Sequence, residues 1–144
     1  MAEGAFRHLV NRAGLADVVS IDSAGTGAWH VGQPPDARAR ATAAQQGIDI
    51  SAQRARQVSP ADFSTFDYIL AMDSDNLETL LGDVPPAHKE RVTLFLAFGS
   101  GYGGGDVPDP YYGGPEGFET VFEMVTDAAG GLLRHIQAHD LDTP

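Results

Sequence analysis

The chain contains no cysteine. Within these residues that excludes disulfides, thiolate metal sites and a cysteine nucleophile. It has no basic run. Nine Lys and Arg stand against 20 Asp and Glu, for a net charge of −11, so nucleic acid is not an expected partner. The acid is scattered and not gathered in a tail, which reads as solvated surface. No apolar run approaches the roughly 20 residues of a membrane span, so no membrane association is expected. Met1 to Val10 shows neither the apolar run nor the cleavage site of a secretory signal, and the cytoplasm is the expected compartment. There is no internal repeat, low-complexity tract or linker. With 144 residues, 42% of them apolar, the chain is expected to form one domain, 1–144, with its own core.

What is present alternates between two periods. Ala2, Ala5, Phe6, Leu9, Val10 and Ala13 follow helical spacing, and Gly14 is placed to cap that helix. Val18 to Asp22 reads as a short strand, followed by the small-residue loop Ser23-Ala24-Gly25-Thr26-Gly27. A helix is expected over Asp36 to Gln46, with Gly47 as its cap. Arg54, Arg56 and Gln57 form a polar cluster, read first as a solvated loop and next as a structural salt bridge. Ser59-Pro60-Ala61-Asp62 starts a short helix that ends near Phe66. Tyr68 to Met72 is a continuous apolar run, as in a strand buried on both faces. Asp73 or Ser74 caps the next helix, with Leu77, Leu80 and Leu81 on its buried face. Val84 to Glu90 reads as a loop, Val92 to Leu96 as a third strand, and Phe98 to Gly105 as a mobile Gly-rich stretch. The last helix is expected from Pro115 to His139, with an apolar stripe from Phe118 to Ile136 and a bend at Gly130-Gly131. Strands alternating with helices imply an α/β three-layer sandwich with a parallel, doubly wound sheet.

The stretch richest in chemistry is Asp106-Val107-Pro108-Asp109-Pro110-Tyr111-Tyr112-Gly113-Gly114. Pro110 stiffens the loop and biases Asp109 toward an extended backbone. A carboxylate on such a loop can be held over a cleft, which is what a general acid needs. On local grounds alone a solvated turn is the favoured reading, because Asp, Pro and Gly are ordinary turn formers. Trp29 reads as a core residue or half-buried anchor before a ligand platform, and His30, with no partners at metal-ligand spacing, reads as structural or solvated.

Taken together, several segments resemble the low-molecular-weight protein-tyrosine phosphatases. They are Met1-Ala2-Glu3-Gly4-Ala5-Phe6; Asp22-Ser23-Ala24-Gly25-Thr26 with Trp29-His30-Val31-Gly32; Ala55-Arg56-Gln57-Val58; Phe66 to Asp73; Asp109-Pro110-Tyr111-Tyr112-Gly113; and Phe118-Glu119. The resemblance implies a flavodoxin-like phosphatase fold acting on phosphotyrosine proteins or small aryl phosphates, with no cofactor and no metal. It implies a cysteine thiolate in a C-x5-R-S loop that attacks phosphorus, at a helix N-terminus that holds the phosphate. By the same resemblance Asp109 is the general acid. Trp29, Tyr111 and Tyr112 line the aryl slot, and Ser23 supports the phosphate loop. Asp106 is a lesser acid candidate, because no Pro-Tyr follows it.

The chain departs from that pattern at its start. The first strand and the C-x5-R loop are expected before Met1 and do not occur in these residues, and Gln53 stands where the pattern has a histidine. The expectation is therefore a phosphatase domain without its first strand, inactive as this polypeptide. Two sheet edges would be left open to self-association. A non-catalytic binding remnant is the alternative. Arsenate reductase shares the fold but requires further cysteines.

Overall fold

The computed structural model describes residues 1–26, 31–99, 107 and 115–140. Its elements, in order, are α1 (Ala2–Arg12), α2 (Ala37–Gln45), α3 (Asp62–Thr65), β1 (Ile69–Ala71), α4 (Ser74–Asp83), β2 (Val92–Leu94) and α5 (Pro115–His139). Two 3-10 turns, Pro86–Arg91 and Phe95–Phe98, flank β2. β1 and β2 pair in parallel, with Ile69 opposite Val92 and Ala71 opposite Leu94.

The strand period sorts the side chains into layers. Ile69 and Ala71 face one core with Phe63 of α3, Leu80 of α4, Val84 and Val92. Tyr68, Leu70 and Met72 point the other way, against a core built by α1 and α5. Ala5, Phe6 and Val10 of α1 meet Val121, Val125, Ala128 and Leu132 of α5 there. A third cluster joins Ala39 and Ala43 of α2, Ile48 and Ile50 to Phe118 and Phe122. Helices thus cover both faces of a parallel sheet, as the α/β reading expected.

The caps follow their sequence signals. Gly14 has φ +74°, and the Leu15 amide returns to the Val10 carbonyl at 3.0 Å, which ends α1. Asp36 caps α2 by accepting from the Arg38 amide at 2.8 Å, and Asp73 caps α4 by accepting from the Asn76 amide at 2.7 Å.

Four expectations are corrected. Val18 to Asp22 is not a strand: among the described residues the sheet has two strands, and the segment leaves a turn at Val18 and joins no ladder. Its apolar residues fit a strand, but a strand exists only when a neighbour takes its N–H and C=O groups. Leu81 is 37% exposed and lies outside the buried face of α4. The 84–90 loop contains the 3-10 turn that Pro86 opens, and the strand expected to reach Leu96 stops at Leu94, where a second 3-10 turn begins. α5 spans Pro115–His139 as expected, continuous through Gly130 and Gly131. Gly131 answers a packing demand, because a Cβ there would stand 1.7 Å from the Phe98 carbonyl oxygen. The helix lies directly on the 3-10 turn after β2. The Gly-rich stretch from Ser100 to Gly105 lies outside the described residues.

Gly131→Ala is expected to destabilise the fold by about 2 kcal/mol or more, because backbone must move. Gly130→Ala meets only the far end of Arg134, at 3.5 Å, and is expected to stabilise by up to about 1 kcal/mol through helix propensity. Urea midpoints of the two variants check this. Equal midpoints would contradict the close approach.

Candidate active site

In a parallel sheet the ligand side is the C-terminal ends of the strands. Three segments converge there. The Ser23 loop is tied to residues 55–58: the Gly25 amide donates to the Arg56 carbonyl and the Val58 amide to the Gly25 carbonyl, both at 2.8 Å. The Gln57 side chain donates to the Thr26 carbonyl at 3.3 Å. Asn76, in the first turn of α4, reaches Thr26 Oγ1 at 3.5 Å. Directly after β1, the Val107 amide donates to the Met72 carbonyl at 2.7 Å, and Val107 is buried. That bond anchors the chain two residues before Asp109.

The first turn of α1 closes the arrangement from below. Glu3 accepts from Ser23 Oγ at 2.5 Å and from Arg7 Nη1 at 2.6 Å. Its side chain is only 10% exposed, so both partners matter to keeping the carboxylate satisfied. Arg7 extends its other nitrogen to the Ile21 carbonyl at 2.9 Å. The Ser23 segment is therefore fixed to α1 by side chains, at the positive end of the helix dipole. Gln53, where the resemblance has a histidine, also lies against this turn, with Nε2 3.5 Å from where a Cβ on Gly4 would stand.

A second brace holds the other side. Arg56 Nε bonds Asp22 at 3.0 Å, and its two terminal nitrogens bond Asp62 at 3.0 and 3.1 Å. The hydrogen bond from Arg56 is the main reason that the Asp62 carboxyl sits below the ordinary carboxylate value, with the Ser59 amide assisting. Of the two readings of the Arg54–Gln57 cluster, the structural salt bridge is the one observed. Arg54 turns back to the Ser51 and Gln53 carbonyls, both at 2.7 Å.

Of the residues that the sequence proposed, Ser23 is described and stands in this network. Trp29, Asp109, Tyr111 and Tyr112 lie outside the described residues, as do Asp106 and His30. Sequence reasoning missed Glu3, Arg7 and Asn76. Glu3 and Arg7 have helical i,i+4 spacing, a local signal for their pairing. Nothing local announces the contact with Ser23, 20 positions away.

The profile of the family described as low molecular weight phosphotyrosine protein phosphatase matches residues 1–141. The chain belongs to this family. A low molecular weight phosphotyrosine protein phosphatase of Schizosaccharomyces pombe is 42% identical over 137 residues, covering 94% of this chain and 87% of that protein. A putative low molecular weight protein-tyrosine-phosphatase of Synechocystis is 41% identical over 133 residues, covering 92% and 84%. Among solved structures, the protein tyrosine phosphatase from Entamoeba histolytica with Hepes in its active site superposes with TM-score 0.92 at 34% identity, covering 97% of this chain and 89% of that one. The phosphatase fold of the solved neighbours is therefore that of this chain too, although the sheet described here has two strands.

The Asp62–Arg56–Asp22 brace gives this phosphatase-family fold a pH signature. A carboxyl depressed in the folded state contributes stability at neutral pH and loses it as pH falls through its folded pKa. Arg56→Ala is expected to cost about 1–2 kcal/mol at pH 7, limited by the partial exposure of Arg56. The gap to the parent chain should narrow as pH falls below the ordinary carboxylate range. A gap independent of pH, in paired urea titrations, would mean that Arg56 acts by packing alone.

Proposed function

We propose that these 144 residues form the body of a protein-tyrosine phosphatase, with Asp109 as its general acid. The observation that carries the reading is the hydrogen bond from Val107 to the Met72 carbonyl. It anchors the chain just before Asp109-Pro110-Tyr111-Tyr112 at the end of the sheet where the Ser23 loop and the first turn of α1 meet. Asp109 protonates the leaving phenolate oxygen as the phosphorus–oxygen bond breaks. Trp29, Tyr111 and Tyr112 hold the aryl ring, and Ser23, tethered by Glu3, supports the phosphate-binding loop. Substrates are phosphotyrosine proteins or small aryl phosphates.

The family's mechanism needs a thiolate to take up the phosphoryl group and an arginine with backbone N–H groups to hold it. The 144 residues contain no cysteine, so this polypeptide forms no cysteinyl phosphate. In this reading a strand carrying that loop sits between the Val19–Asp22 segment and β1. Val19 and Ile21 on one side, and Leu70 and Met72 on the other, are only partly buried against the α1/α5 core. Among the described residues, the amides of Ser20, Ile21 and Asp22 donate to no backbone carbonyl. Edges left open in this reading also suit a second, non-catalytic one, in which the chain assembles with itself or with another strand donor.

An assay with p-nitrophenyl phosphate separates the two. The 144-residue polypeptide is expected to show no turnover. A version carrying an N-terminal apolar strand and C-x5-R-S loop is expected to turn over, and Asp109→Ala in that version should lower kcat by about 10²–10⁴-fold. Turnover by the 144 residues alone, abolished by Asp109→Ala, would overturn the separation of acid and nucleophile. An inactive extended version would favour the assembling remnant.

A further inference from the structure

At the opposite end of the sheet, where the strands begin, a cavity of about 430 Å³ opens between β1, β2 and α5. Tyr68 directly precedes β1 and Arg91 directly precedes β2, so the cavity is remote from the Ser23 loop and from Met72. Tyr68, Phe98 and His135 line it. Their rings stand nearly at right angles: Tyr68 to Phe98 at 76° and 6.3 Å between centroids, and Tyr68 to His135 at 88° and 5.8 Å. Phe98 and His135 meet at 66° and 5.3 Å. Each pair meets edge to face, and His139 packs on His135 at 4.3 Å between centroids.

The rim is acidic. Asp67, Glu90 and Asp140 line the same cavity. Asp140 accepts from the Tyr68 hydroxyl. Asp67 and Glu90 are exposed and make no hydrogen bond among the described residues. Arg91 also lines the cavity, but its Nη1 is drawn toward the Phe63, Ser64 and Phe66 carbonyls at 3.2–3.4 Å. Three carboxylates against one guanidinium leave a local charge of −2. The Tyr68 hydroxyl registers this environment: its pKa is pushed up to about 12, first by burial and then by Asp140 and Asp67.

We propose that this cavity binds a small organic ammonium ion, held by the faces of Tyr68, Phe98 and His135 and by the carboxylates of Asp67 and Glu90. Aromatic rings attract a weakly hydrated cation through their negative faces, and nearby carboxylates add Coulomb attraction without the tight coordination that a metal requires. The site depends on Gly131. Only a glycine lets α5 rest on the Phe98 carbonyl, and that close approach brings His135, one turn further on, beside Phe98 and Tyr68. A ligand there would bridge the start of β1 to the last turns of α5, away from the phosphatase chemistry.

The test is an NMR titration of the 144-residue chain with choline chloride and, in parallel, with 3,3-dimethylbutan-1-ol, its uncharged counterpart of the same shape. At about pH 8, above the ordinary histidine range, choline is expected to give saturable shifts of the Tyr68, Phe98 and His135 ring signals. The alcohol should bind at least about tenfold more weakly. Asp67→Asn and Glu90→Gln, both at exposed positions where folding is unaffected, should each weaken choline about three- to tenfold. Equal binding of the alcohol would overturn the proposal, as would unchanged affinity in both variants or shifts that map elsewhere. Because the readout is binding and not catalysis, the outcome is independent of the phosphatase reading.

Discussion

The arrangement depends on how the Val19–Asp22 backbone is held without a ladder. Extended backbone wants partners for every N–H and C=O. Here the substitutes come from α1: Arg7 donates to the Ile21 carbonyl, and Glu3 accepts from Ser23. Arg56 clamps the same segment from the other side through Asp22. These side chains, together with the parallel Gly25–Gln57 bridge, keep the Ser23 loop at the C-terminal end of the sheet, although among the described residues no strand pairs with Val19–Asp22. The glutamate does two further things. It places a negative charge at the positive end of a helix, where it is favourable, and it fixes the arginine that reaches the backbone. The superposition on a solved phosphatase over 97% of the chain fits a frame held in position by such ties.

The division of labour across the sheet follows from strand direction. At the C-terminal end, loops with small residues and carboxylates converge, and the functional reading as a phosphatase rests there. At the N-terminal end, aromatic rings and the carboxylates of Asp67, Glu90 and Asp140 line a cavity remote from those loops. Both ends are built on the same two contacts of α5. Its apolar stripe packs on α1, and its Gly131 rests on the turn after β2. A change to α5 therefore reaches both ends of the molecule.

Much of the fold was legible in the sequence where the signal is local. The stripe from Phe118 to Ile136 marked α5, and Gly14, Asp36 and Asp73 marked helix ends that stand as expected. The strand at Val18 to Asp22 was misread because apolar sequence supplies only half of a strand; the other half is a neighbour. The close approach at Gly131 was not legible, because sequence shows a missing side chain and not what replaces it. The site was legible by resemblance more than by physics. Ser23 was proposed in that way and stands in the network, whereas Glu3 and Asn76 reach the loop through contacts that no spacing reveals. The Arg56 brace was foreseen only as the second choice, because a charged cluster in a loop is solvated more often than paired.

Amide hydrogen exchange at Ser20, Ile21 and Asp22 tests the central claim most directly, measured with and without an added apolar peptide that carries a C-x5-R-S loop. The account predicts rapid exchange in the 144-residue chain, at rates near those of exposed loops, and strong protection once the peptide is bound. Protection of these three amides in the chain alone, at the level of the β1 and β2 amides, would contradict it.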